Sequence, residues 1–146
     1  MSLAARQAEL VAALTAGAPV PAGMDPVRLG IAARALLYKR AGEVARRWPL
    51  LAAGLGPDWH RVFAEWAGAR PTAGSLRDGW DLARELQGRA ALPEIAEREL
   101  ALVEARWRYD GRTPPRPRRL GIRRVADGRL LTISGRVMVI GRSDSL

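Results

Sequence analysis

Arginine is the residue type whose number and spacing indicate chemistry in this chain. Of the 24 basic residues only Lys39 is a lysine, and a guanidinium group can hold a carboxylate or a phosphate through two parallel hydrogen bonds. Residues 106–146 carry 11 arginines and three aspartates, a net charge of +8 out of +9 for the whole chain. The arginines that recur among the hydrophobic residues of this segment are Arg118, Arg119, Arg123, Arg124, Arg129, Arg136 and Arg142. This asymmetry predicts binding to phosphates, carboxylates or acidic peptide segments.

Residues that could catalyse a reaction or hold a metal ion do not form a set. His60 is the only histidine and there is no cysteine, so a metal site would have to be built from scattered carboxylates. Ser75 has no histidine base near it in sequence, and the helical spacing of four glutamates spreads them around a helix: Glu94, Glu97, Glu99 and Glu104. We therefore expect no catalytic residue, no metal site, no cofactor and no enzyme activity.

Aromatic side chains offer a second kind of candidate. The five tryptophans are most simply core anchors, because each buries a large apolar area. Trp48 and Trp107 lie close to arginines in the sequence and are, with Tyr38, candidate interface residues. We expect most of the tryptophans in the core and allow one exposed contact.

The spacing of hydrophobic, capping and breaking residues predicts helices through the first 110 residues. Ser75-Leu76-Arg77-Asp78 fits an acidic variant of the capping box. The predicted helices cover Leu3–Ala16, Pro26–Trp48, Leu50–Leu55, a segment from Asp58, Ser75–Gly88 and a segment from Pro93.

After residue 110 the character of the chain changes. Residues 111–119 contain three prolines, which predicts an extended linker. Three β-prone runs follow at Gly121–Ala126, Arg129–Ser134 and Arg136–Ile140, separated by the turn signals Asp127-Gly128 and Ser134-Gly135. We therefore predict a mainly α fold. An N-terminal helical bundle of five or six helices (1–110) is followed by a Pro/Arg-rich linker (111–119) and a basic three-stranded antiparallel β meander (120–146).

The arginines of the meander have three interpretations. They can protect the edges of a small sheet from aggregation, or hold the acidic side chains of a peptide that pairs with an exposed strand edge. They can also contact nucleic-acid phosphates. Residues 120–146 contain no aromatic residue for stacking on single strands, which counts against the third interpretation.

The helical part resembles a known bacterial family over roughly residues 3–109. The resemblance rests on the series 33–40, Val44 with Arg46-Arg47-Trp48-Pro49, Leu55-Gly56-Pro57-Asp58-Trp59 and Leu92-Pro93-Glu94-Ile95-Ala96. The family is named for a DNA-binding domain, and its members often accompany multinuclear non-haem iron oxidases. The resemblance implies an accessory partner that helps such an oxidase receive a ribosomally made precursor peptide. This chain has Tyr38-Lys39-Arg40-Ala41 where members of the family commonly have tyrosine-arginine-asparagine-asparagine.

Three functions follow as expectations. The first is a non-catalytic accessory protein that binds the metal-dependent oxidase and its precursor peptide. The alternative is a DNA-binding transcriptional regulator that uses the Arg-rich C-terminal segment, and the third is a plain interaction or scaffold domain. The N-terminus shows no signal peptide pattern and no run is long enough to cross a bilayer, so we expect a cytoplasmic protein without membrane contact.

Overall fold

The computed structural model describes residues 1–125, 128–133 and 136–141. It is mainly helical, which confirms the predicted fold class at this level. The helices are α1 (Leu3–Thr15), α2 (Pro26–Arg47), α3 (Pro49–Leu55), a short 3-10 helix (Gly56–Asp58), α4 (Trp59–Ala67), α5 (Ser75–Gly88) and α6 (Glu94–Arg106). None of the helices within these ranges is both long enough and apolar enough to cross a lipid bilayer.

Local chemistry accounts for the helix limits. The Ser2 hydroxyl accepts a hydrogen bond from the Ala5 N–H at 3.2 Å, and the Asp25 carboxylate accepts one from the Val27 N–H at 2.9 Å. Both residues thereby satisfy backbone donors that lack a partner inside the helix. At the end of α2, Pro49 cannot continue the hydrogen-bonding ladder, so the chain turns at Trp48 and α3 begins.

Short strands occupy the C-terminal part of the chain. They are β1 (Trp107–Arg108), β2 (Arg116–Pro117), β3 (Leu120–Val125), β4 (Gly128–Ile133) and β5 (Arg136–Gly141). β1 pairs with β2, and β4 pairs with both β3 and β5, all antiparallel. The predicted turns at Asp127-Gly128 and Ser134-Gly135 include residues outside the described ranges.

The segment predicted to be an extended linker returns to the end of α6. Arg116 lies opposite Arg108 in the β1–β2 pair, and the Arg118 N–H donates to the Arg106 carbonyl at 2.8 Å. Gly111, with a φ of 83°, allows the reversal because glycine adopts this left-handed conformation without strain. Residues 111–119 therefore form a turn and a short strand.

By its contacts the chain forms two compact units, Met1–Leu82 and Ala83–Leu146. The expected domain limit at residue 110 falls inside the second unit, because α6 contacts β3, β4 and β5. The buried core of the first unit includes four of the tryptophans, in agreement with their expected role as core anchors: Trp48, Trp59, Trp66 and Trp80. The core of the second unit includes Leu86, Leu100, Ala105 and Leu130.

Candidate functional site

The predicted arginine site lies on and beside the strands of the second unit. Arg118 is half-buried, and its Nε donates to the Trp107 carbonyl at 3.0 Å. Arg119 is exposed. Arg123 and Arg124 lie in β3, and Arg142 falls outside the described residues. Exposed arginines also stand in the next two strands, Arg129 in β4 and Arg136 in β5.

These positions do not all have the same role. Arg118 holds the chain against the end of α6 through one side-chain and one backbone hydrogen bond, so part of its role is structural. Arg129 and Arg136 are in no ion pair within the described part of the chain. Within that part of the chain both side chains are therefore available to a partner.

The register of β3, β4 and β5 brings these arginines to one face. Residues directly opposite each other in an antiparallel pair project from the same side of the strands. We call the resulting set of residues the outer face; it consists of the rows Leu120–Ile133–Arg136 and Ile122–Leu131–Met138 and the pair Arg129–Ile140.

The outer face is apolar in its centre and exposed. The outer face has six large apolar residues. Leu131 is half-buried, and the other five are between 44% and 74% exposed: Leu120, Ile122, Ile133, Met138 and Ile140. Leu130, on the opposite side of β4, is only 2% exposed. Because α6 contacts all three strands, the side with Leu130 lies toward α6 and the outer face lies away from it.

Polar contacts fix the end of α6 beneath these strands. Arg84 donates from Nε to Glu104 at 2.9 Å and from Nη2 to the Tyr109 carbonyl at 3.1 Å. Its guanidinium carbon also lies 5.4 Å from the centroid of the Tyr109 ring, within the range of a cation–π contact. A buried tyrosine is thereby held at the point where the chain leaves α6.

Asp110 closes the turn that follows. Its carboxylate accepts hydrogen bonds from the backbone N–H groups of Arg112 (2.8 Å) and Thr113 (2.7 Å), and from the Thr113 hydroxyl (3.0 Å). These bonds stabilise the charged form and lower the pKa of Asp110 from 3.8 to about 2, with the bond from Arg112 the largest cause. The turn is therefore formed at neutral pH by an ionised aspartate.

A second exposed surface belongs to the first unit. The Tyr38 ring stacks on the His60 ring, with centroids 4.1 Å apart and planes 8° from parallel. Val27 and Ile31 share the helix face of Tyr38, because positions four and seven apart project from one side of a helix. Val27, Ile31 and Tyr38 are 59–70% exposed; with His60 they form what we call the α2 patch.

The other two candidate interface residues differ from Tyr38. Trp48 is fully buried, and its Nε1 donates to the Leu76 carbonyl at 3.1 Å. It presents no side-chain surface to a partner, so the interface hypothesis for Trp48 is not supported. The indole fills the space beside α5 instead. Trp107 is half-buried in β1.

An ion pair that sequence reasoning missed lies within the first unit. Arg40 donates from Nε to the Asp78 carboxylate at 2.8 Å, and the two side chains are only 12% and 3% exposed. Asp78 also accepts from the Thr72 hydroxyl (2.7 Å) and the Ala73 N–H (2.9 Å). The carboxylate expected in a capping box thus ties together the loop before α5 and the middle of α2. The two residues are 38 positions apart in the sequence, so no local pattern could predict this pairing.

Within the described ranges no three histidine, aspartate or glutamate side chains come together in a way that could hold a metal ion. His60 stacks on an exposed tyrosine. What the two surfaces offer is apolar area, aromatic rings and guanidinium groups, which are the means of recognition by binding.

Comparison with known proteins gives a relative and a family for this chain. It is 44% identical over 114 residues to a UPF0276 protein of Streptomyces avermitilis. The match takes up 77% of this chain but 23% of that protein, so the chain spans less than a quarter of the relative's length. No solved structure matches the chain significantly. The family model described as the SCO6045-like C-terminal domain matches residues 4–88, which is more than half of the sequence, and the chain therefore belongs to that family.

Proposed function

We propose that this chain is a non-catalytic accessory domain that binds a multinuclear non-haem iron oxidase together with the oxidase's ribosomally made precursor peptide. The modification would take place in the cytoplasm, where the precursor is synthesised. In this proposal β3, β4 and β5 form a three-stranded meander that receives the peptide, and the α2 patch contacts the oxidase. The observation that carries the proposal is the exposed outer face with Arg129 and Arg136, which form no ion pair with any residue that the structure describes.

The length of the relative supports a role beside another polypeptide. In the Streptomyces protein the matching region is covalently joined to a much longer remainder. Because this region is joined to a larger polypeptide in the Streptomyces protein, the chain is suited to acting beside a second protein. Holding the oxidase and the peptide at once would raise their effective concentration toward each other.

The α2 patch suits the larger of the two partners. Tyrosine and isoleucine supply apolar contact area, and tyrosine is enriched at protein interfaces. The Tyr38–His60 stack joins α2 to α4, so the patch rests on two packed helices rather than on a loop. Such a rigid surface loses little entropy when a partner binds.

The first test is the identity of the genes beside this chain's gene. An oxidase gene next to a short precursor reading frame would supply both components for a reconstitution. We expect the mass shift of the modified peptide to form faster when the chain is present. Arg129→Glu should remove most of that stimulation. Arg6→Glu is the matched control, because Arg6 is also exposed but lies in α1. Equal rates with and without the chain would refute the proposal.

The second candidate is a DNA-binding regulator, favoured by the net charge of +8 on residues 106–146. It predicts retention of genomic fragments in a gel-shift assay at low salt. The apolar centre of the outer face weighs against it, because exposed isoleucine and methionine form no favourable contact with a charged phosphate backbone. Absence of any retained band at low salt would eliminate it.

A further inference from the structure

We infer that the outer face binds an acidic amphipathic helix, contributed by the precursor peptide. The inference rests on the proposed function for the identity of that partner only. The chemistry of the recognised helix follows from the surface itself: an apolar central row with cationic groups at both ends.

The apolar centre requires a cover. Ile122 and Met138 flank Leu131 in the central row and are 70% and 52% exposed. Contiguous exposed apolar area of this kind marks an interaction site. Helices commonly cover the faces of a sheet, and α6 already contacts these strands on the side of Leu130. An amphipathic helix on the outer face would complete a three-layer arrangement.

The arginines specify the charge and spacing of that helix. Arg129 lies at one end of β4, whereas Arg136 lies opposite Ile133 at the other end. The Arg129 and Ile133 rows are four residues apart, roughly 13 Å at the rise of a strand. Two carboxylates eight positions apart on a helix are separated by roughly 12 Å. The fitting partner carries acidic residues about two turns apart with apolar residues between them.

Charge argues against a second copy of the chain as the occupant. Two outer faces pressed together would bring the cationic ends of both copies into one interface, and like charges there are costly. An acidic helix instead pairs each end of the face with a carboxylate.

The experiment uses the full chain and a fluorescein-labelled synthetic helical peptide. The peptide carries glutamates eight positions apart that flank a leucine face, and its control carries glutamine at both positions. We expect the fluorescence anisotropy to show saturable binding of the acidic peptide. The affinity for the glutamine control should be roughly tenfold weaker. Ile122→Glu should lower the affinity for the acidic peptide by a similar factor.

Val139→Glu is the matched control variant. Val139 is 66% exposed like Ile122 but lies opposite Leu130, on the other side of the strands. Its substitution should leave peptide affinity within about twofold of the parent chain. Because Ile122→Glu could alter folding, methyl NMR on the unsubstituted chain gives an independent readout. The Ile122 and Met138 methyl signals should shift on peptide addition, while the Val139 signals stay in place.

Several results would overturn the inference. They are the absence of saturable binding, equal affinity for the glutamate and glutamine peptides, or methyl shifts centred on Val139. Sedimentation showing a dimer that Ile122→Glu disrupts would assign the face to a second copy.

The proposed function is tested separately. If the natural precursor binds but Ile122→Glu leaves its affinity unchanged, the surface assignment fails while the accessory role stands. If the synthetic helix binds the outer face but no precursor or oxidase associates with the chain, the surface assignment stands and the accessory role fails.

Discussion

At the scale of single residues, Gly79 has little freedom to change. It lies in α5 beside the fully buried Trp48, and a Cβ atom at this position would lie 2.6 Å from Cγ of the indole. The indole cannot retreat easily, because its Nε1 is bonded to the Leu76 carbonyl. We predict that Gly79→Ala lowers the free energy of unfolding by about 1–3 kcal/mol, as overpacking does. Thermal or urea unfolding of the purified variant measures it.

Gly42→Ala is the matched control for this substitution. Gly42 lies inside α2, and a Cβ atom there would meet nothing within 4 Å. Alanine should stabilise the helix by about 0.5–1 kcal/mol, because glycine loses more backbone entropy on folding. If Gly79→Ala behaved like Gly42→Ala, the close approach of α5 to Trp48 would be wrong.

The Asp110 carboxylate offers a prediction about pH. Its pKa is lowered to about 2 by the bonds from Arg112 and Thr113, so its contribution to stability is present above about 3.8 and is lost as pH falls through about 2. Thr113→Val removes the hydroxyl donor and keeps both backbone donors. We predict that the variant raises the pKa only part of the way to 3.8. A carbon-13 NMR titration of the carboxyl signal measures both values.

A carboxyl signal that titrates near 3.8 in the parent chain would contradict the turn.

At the scale of elements, the pair of Arg40 and Asp78 joins α2 to the start of α5. The pair is almost fully buried, and removing one partner leaves a buried charge without compensation. We predict that Asp78→Ala lowers the free energy of unfolding by about 3–5 kcal/mol. In a double-mutant cycle with Arg40→Met, the two changes should cost about 1–3 kcal/mol less together than their sum. Urea denaturation of the four proteins gives the coupling energy.

The exposed pair of Arg61 and Glu65 on α4 provides the comparison. Its atoms are 3.1 Å apart, and both side chains are more than half exposed. Solvent screens such a pair, so the same cycle there should give at most about 0.5 kcal/mol. Equal coupling at the two sites would contradict the buried position of Arg40 and Asp78.

The difference between these two pairs also shows what the sequence can reveal about elements. Helix limits were predictable because their causes are local: Pro26 after the Asp25 cap, and Pro49 after Trp48. The ion-pair partner of Asp78 was not predictable, because an acidic residue near the start of a helix fits a capping box equally well. Trp48 likewise had two interpretations in the sequence, a core anchor and an interface residue. Neighbouring arginines suggested a surface, whereas Gly79 leaves the gap that the indole fills.

The candidate site was predictable only in part. Three β-prone runs separated by turn signals predicted strands after residue 120, and the structure has β3, β4 and β5 there. Which arginines remain available was not predictable. Arg118 bonds to the Trp107 carbonyl across the β1–β2 region, and this depends on the return of the chain at Asp110. The rows of the outer face depend on the register between strands, which a single sequence does not specify.

At the scale of the whole molecule, the uneven charge distinguishes the proposed functions. Residues 106–146 hold +8 of the total +9, and this positive field would speed the approach of any acidic partner. A DNA-binding protein that makes 6–10 phosphate contacts loses roughly 10³–10⁵ in affinity between 50 and 200 mM salt. A helix held by a few arginines around an apolar centre depends far less on salt, because burial of apolar area is not screened.

We therefore predict that the affinity of the full chain for the acidic helical peptide falls by less than about tenfold over that salt range. Fluorescence anisotropy at a series of salt concentrations measures this, with a labelled DNA duplex titrated in parallel. The apolar contacts of Ile122 and Met138 should sustain peptide binding where duplex binding is already lost. A peptide affinity that fell as steeply as that of the duplex would mean that the arginines act alone. The outer face would then be a general anion site rather than a surface for one kind of helix.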